Sequence, residues 1–159
     1  MRIVVVFLSL LFGLSPQLRP VVDQPSLVGN WKLVAYQIVV ANEAPRAALG
    51  DHPKGYLILT PQGRMLALLT ASERKLGSSD SERAELWKSM VAYSGKYRTE
   101  GDEFITTVDV SWNEVWNGTE QRRHYKINGD RLSIVTAPQP SPIYAGKTYH
   151  AELLWEREQ

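Results

Sequence analysis

Asn128-Gly129, set between two runs of alternating apolar and polar residues, is the feature that most narrows what this chain can fold into. A tight two-residue hairpin turn needs positive φ at both central positions, and Asn-Gly adopts it with little strain. Thr119 to Ile127 and Arg131 to Thr136 therefore read as the two arms of one antiparallel hairpin. Two further pairs follow the same logic. Gly55 to Thr60 and Gly63 to Thr70 flank Pro61-Gln62, with Pro at the second turn position and Gly at the fourth, as a type I turn prefers. Gly95 to Glu100 and Glu103 to Trp112 flank Gly101-Asp102.

Two more strands complete the set. Trp31, Leu33 and Ala35 alternate with Lys32 and Tyr36, although Val34 and Ile38 break the period. In the last strand, Lys147 to Arg157, Tyr149, Ala151, Leu153 and Trp155 share a face opposite His150, Glu152 and Glu156. One segment departs from period two. Ser79 followed by Glu82 reads as a capping box, and Ala84, Trp87, Met90 and Val91 recur at helical spacing. That predicts one short amphipathic helix over residues 80–91, packed on the sheet.

The fold class that follows is all-β: eight antiparallel strands and one short helix. A flat sheet of eight strands leaves two open edges and a wet apolar face, and closure into an up-and-down barrel removes both. At eight strands the interior is either filled by side chains or just wide enough for one small ligand. The long connections Ala41 to Lys54 and Ala137 to Gly146 are expected to rim the barrel mouth.

The amino end is a separate object. Met1-Arg2 precedes an apolar run from Ile3 to Leu14, broken only by Ser9 and Gly13. At 1.5 Å per residue the run spans roughly 18 Å, well short of the ~30 Å hydrocarbon core. A basic start and a short apolar stretch predict an export signal over residues 1–22, with an uncleaved anchor or a first buried strand as the competing accounts. No membrane span is then expected in the mature chain. Removing Arg2 and Arg19 leaves 16 basic against 17 acidic residues, so the mature domain is close to neutral. That excludes the broad basic face of a non-specific nucleic-acid binder. The chain has no cysteine, which removes disulfides, thiolate metal sites and cysteine nucleophiles and suits export to a bacterial periplasm or beyond. His52, His124 and His150 have no metal-ligand spacing, and no serine lies in a nucleophile motif. No metal or cofactor is expected.

A resemblance sharpens the fold. Gly29-Asn30-Trp31 at the start of the first strand and Trp155-Glu156-Arg157 at the end of the last are a lipocalin-type pairing. Together with Gly55-Tyr56-Leu57-Ile58, Thr60-Pro61-Gln62-Gly63-Arg64-Met65, Gly118-Thr119-Glu120-Gln121 and Asn128-Gly129-Asp130-Arg131-Leu132, these segments resemble the lipocalin-like domain family of bacteria and fungi over residues 26–158. The resemblance implies a barrel whose closed end is plugged by Trp31 under a basic residue of the final strand, and it implies no settled activity. Many members carry a His-His pair where this chain has Thr106-Thr107, so chemistry resting on those histidines does not transfer.

The densest cluster of candidate binding residues is Asp109 to Gln121, with Trp112, Glu114 and Trp116 at one barrel end. Aromatic walls with a few polar groups suit a small-molecule pocket, and the same residues also suit a plain hairpin connection. Glu120, Arg122, His124 and Lys126 form a charged row that must face water, which turns Gln121, Arg123, Tyr125 and Ile127 inward. An inward arginine is costly unless paired or placed at a wet mouth. Asp109 is its nearest candidate partner, although Val108, Val110 and Trp112 look like the inward set; a bulge reconciles the two, and Glu114 is the alternative partner. Tyr56, Met65, Tyr97 and Tyr125 are expected to line the interior. The leading functional reading is a barrel binding a small apolar or amphipathic molecule. An isomerase or cyclase using Asp109 or Glu114 in the same cavity is the alternative, and a filled structural barrel is the third.

Overall fold

The computed structural model describes residues 26–140 and 146–159. The expected export segment lies outside them, as does the middle of the second rim connection. The strands are β1 (Gly29–Val40), β2 (Arg46–Ala47), β3 (Lys54–Leu59), β4 (Arg64–Thr70), β5 (Met90–Glu100), β6 (Glu103–Ser111), β7 (Glu120–Asn128), β8 (Arg131–Thr136), β9 (Gln139–Pro140) and β10 (Thr148–Arg157). Their order is β2-β1-β3-β4-β5-β6-β7-β8-β10-β9, and β1 also pairs with β10, so the eight long strands close on themselves. β2 and β9 are two-residue additions at the rim.

The three expected hairpin turns are all present, and each places a glycine where only positive φ closes the turn: Gly63 at +78°, Gly101 at +61° and Gly129 at +58°. These turns gather at one end of the barrel with residues 26–28. The connections 41–53, 71–89 and 112–119 lie at the other, with residues 137–140. Trp31 and Arg157 are opposite each other in the β1–β10 ladder. The Arg157 guanidinium lies 4.0 Å above the Trp31 ring and donates to the Val28 carbonyl at 3.0 Å and the Ser26 carbonyl at 2.6 Å. The indole in turn donates to the Leu27 carbonyl at 2.9 Å. One side chain thus seals the end and ties down the entering chain.

Alternation fills the interior. Gly55, Leu57 and Leu59 of β3, Met65, Ala67 and Leu69 of β4, Phe104, Thr106 and Val108 of β6, Leu132 and Ile134 of β8, and Trp155 of β10 are all buried. Each large apolar side chain so buried contributes on the order of 1.5–3 kcal/mol. Two bulges shift the pattern. At Val34 the ladder passes from Leu33↔Trp155 to Ala35↔Leu154, so Trp31 and Leu33 face inward before the bulge and Tyr36 and Val40 after it. At Asp109 it passes from Gly95↔Val108 to Ser94↔Val110.

The helix α1 (Asp80–Lys88) is shorter than its spacing predicts. Met90 and Val91 belong to β5, whose own alternation of Val91, Tyr93 and Gly95 outcompetes the helical period. The capping box is formed: Glu82 accepts from Ser78 and Ser79, which draws its carboxyl down to about 2, and Ser79 accepts from the Glu82 backbone. No residue of α1 is buried, so the helix is not a core element; it belongs to the β4–β5 connection and touches the β6–β7 connection through Trp87 and Trp112.

Candidate functional site

The site is built from the β6–β7 connection. Asn113 accepts from the Val115 backbone and opens a single 3₁₀ turn, Glu114–Trp116. The chain then reverses through Gly118 at φ +77°, and Gly118 donates to the Val108 carbonyl. Thr119 fixes the turn by donating its hydroxyl to the Trp116 carbonyl at 2.8 Å. That places two indoles edge to face, Trp112 and Trp116, with centroids 4.9 Å apart. Trp116 meets Tyr93 of β5 edge-on at 5.2 Å, and Trp112 meets Trp87 of α1 at 6.3 Å. Four aromatic side chains therefore run in one string from α1 to the inner face of β5.

Arg123 joins the string from below. β7 has the alternation expected of it, with Gln121, Arg123, Tyr125 and Ile127 inward and Glu120, Arg122, His124 and Lys126 exposed. The Arg123 guanidinium stands 5.9 Å from the Trp116 ring, donates to the Gln121 side-chain oxygen at 3.1 Å and to the Arg122 carbonyl at 3.0 Å. Gln121 is held by donating to the Thr119 hydroxyl at 2.9 Å. A relay from the Trp116 carbonyl through Thr119 and Gln121 thus orients the guanidinium. Burial pushes the Tyr93 phenol upward in pKa, and the nearby Arg123 charge partly opposes that shift. Thr106, directly across the ladder from Gln121, is fully buried, and its hydroxyl has no partner among the described residues.

Several expected site residues lie elsewhere. Tyr56 is 42% exposed on the outside, because β3 points Gly55 and Leu57 inward and Tyr56 alternates with them. Asp109 also points outward: it is the extra residue of the β6 bulge and pairs with Arg64 of β4. The same bulge turns Val110 outward, 65% exposed. Glu114 is exposed and accepts from the Asn117 side chain at 2.9 Å, so it is no partner for Arg123. Met65 is fully buried within the core. Tyr97 packs on Phe104 at 5.4 Å and donates to the Thr60 carbonyl at 2.9 Å, toward the sealed end. Tyr125 packs against the core from the inner face of β7.

Trp112, Trp116, Gln121 and Arg123 are thus the expected residues that come together. Tyr93 joins them without being expected there, as does Thr106, which the resemblance marks only as a place where many members carry histidine. The signal for Tyr93 was its place two residues before Gly95, in a strand that starts earlier than its turn suggested.

The histidines stay outside the site. His124 lies 3.2 Å from Asp102 and His150 3.0 Å from Glu152, both on the outer surface. Among the described residues no group of three His, Asp or Glu side chains could hold a metal, and no helix is long and apolar enough to cross a membrane. Two grooves flank α1. One of about 290 Å³ is bounded by Leu49, Gly50, Ala71 and Lys88, and one of about 460 Å³ by Arg74, Leu76, Leu86 and Ser89.

An eight-stranded up-and-down barrel, sealed at one end by a tryptophan under an arginine and carrying an aromatic cluster at the other, defines a lipocalin-type architecture. Residues 28–158 match the lipocalin-like domain family, and the chain belongs to it. Among solved structures, the chain is similar to an uncharacterized protein from Bacteroides eggerthii, with 13% identity and a TM-score of 0.43 over 84% of this chain and 100% of that one. No curated protein matches.

Proposed function

We propose that this domain binds a small apolar or amphipathic molecule at the open end of its barrel, and that it does so after export to the periplasm or beyond. The observation that carries the binding reading is the convergence of Trp112, Trp116, Tyr93 and Arg123 at the end opposite the three hairpin turns. Aromatic walls around a few fixed polar groups are what a small-molecule site requires. Neither carboxylate that a catalytic reading needs, Asp109 or Glu114, is aimed at this cluster.

A titration with the neutral apolar probe N-phenyl-1-naphthylamine tests it. Tryptophan emission is expected to fall saturably, with one probe per chain, and Trp116→Leu is expected to weaken the response. A linear, unsaturable response contradicts the reading. It would favour a barrel that acts through its surface, where Tyr56, Ile58, Leu66 and Leu68 stand exposed side by side on β3 and β4.

Export rests on Arg2 and the apolar run to Leu14. Mass spectrometry of the protein from the native envelope fraction is expected to give an amino terminus between about residues 16 and 26. An intact Met1 on cytoplasmic protein contradicts it.

A further inference from the structure

We propose that Arg123 selects a carboxylate-bearing amphiphile, held head inward with its apolar chain running outward along Trp116 and Trp112. The inference rests on binding at the mouth and adds the chemical class of what is bound.

The first ground is an unbalanced charge. Arg123 is partly buried on the inner wall, and no carboxylate among the described residues lies within ion-pair distance of it. The partner that would have made it structural, Asp109, is committed to Arg64 on the outside. Both acceptors that Arg123 meets among the described residues are neutral: the Gln121 amide and the Arg122 carbonyl. A guanidinium carries five donors in a planar fork, so donors remain for a further acceptor after these contacts. A partly buried cation without counter-charge is stabilised by a carboxylate more than by a hydroxyl.

The second ground is independent of the charge. The Thr106 hydroxyl is fully buried on the same wall, across the ladder from Gln121 and diagonal to Arg123, and has no hydrogen-bond partner among the described residues. Buried polar groups are seldom left unpaired unless something else satisfies them. Thr106 and Arg123 therefore mark the inner, polar end of the site. The aromatic string from Tyr93 through Trp116 and Trp112 to Trp87 marks the outer, apolar end. Polarity thus runs inward, opposite to a surface site that leaves the head group in water, and this sets the orientation of the bound molecule.

The relay that holds Arg123 gives specificity as well as affinity. With Gln121 fixed by Thr119 and the ring of Trp116 beside it, the guanidinium plane is set before anything binds. Lysine would keep the charge and lose the fork.

The test compares decanoic acid with 1-decanol near neutral pH, by tryptophan fluorescence and by calorimetry. The wild-type protein is expected to bind the acid about 30-fold or more tightly than the alcohol. Arg123→Met is expected to lose that preference, and Arg123→Lys to keep only part of it. Because the acid-to-alcohol ratio of the wild type decides on its own, an unfolded variant does not rescue the inference. Equal affinities for acid and alcohol overturn the carboxylate assignment and leave the mouth as a binding site. Binding of neither overturns both.

Discussion

Trp31→Ala is expected to lower unfolding stability by about 3–5 kcal/mol, the loss usual for truncating a large core aromatic. Trp31 is fully buried at the sealed end, its indole donates to the Leu27 carbonyl, and Arg157 covers its outer face. Truncation therefore opens a cavity beneath a charged group and orphans a carbonyl in one step. Arg157→Ala is expected to cost less, about 0.5–2 kcal/mol, as a shielded cation–π contact does. Urea unfolding followed by circular dichroism measures both. Full stability of Trp31→Ala would mean that the end of the barrel is not sealed as described.

Gly95→Val is expected to be the next most damaging change, because it concerns backbone rather than side chain. A Cβ at Gly95 would sit 2.2 Å from the Thr107 carbonyl oxygen and 2.8 Å from the Thr106 methyl. Neither neighbour is a flexible side-chain end, so β5 and β6 must separate at the bulge, at a cost of roughly 1–3 kcal/mol or more. The same displacement moves Thr106 relative to Gln121, so probe binding at the mouth is expected to weaken as well. Gly101→Asn is the control. Its turn has open space around the Cβ position and φ +61°, which asparagine tolerates, so its cost is expected to stay under about 1 kcal/mol. A Gly95→Val protein as stable as that control contradicts the described β5–β6 ladder.

These two sites mark where the chain was legible and where it was not. Turn chemistry is local, so Asn128-Gly129 and Gly101-Asp102 placed their hairpins from a few residues alone. The β7 alternation was equally plain, because four charged side chains in a row cannot enter a core. Bulges are different: one extra residue reverses the parity of everything after it, and nothing in the local composition announces it. Val34 blurred the first strand for that reason, and Asp109 was drawn toward Arg123 when the bulge sends it to Arg64. Tyr56 faces outward because β3 gives its inward positions to Gly55 and Leu57, a parity that residue type alone does not reveal. Met90 and Val91 satisfied a helical period by chance, since strand pairing with Leu69 and Thr70 decides their state and lies twenty residues away in sequence. The unpartnered hydroxyl of Thr106 is a property of three-dimensional packing and has no signature in the chain.

The central claim is that the open end binds a small molecule through its aromatic rim. The five tryptophans make it testable in one measurement, since each indole N–H gives its own signal in a ¹⁵N-labelled sample. On titration with decanoic acid, the signals of Trp112 and Trp116 are expected to move saturably, with a smaller shift at Trp87, while Trp31 under Arg157 at the sealed end stays fixed. Saturable movement of Trp31 with Trp112 and Trp116 unchanged, or no saturable movement of any indole, would contradict the account.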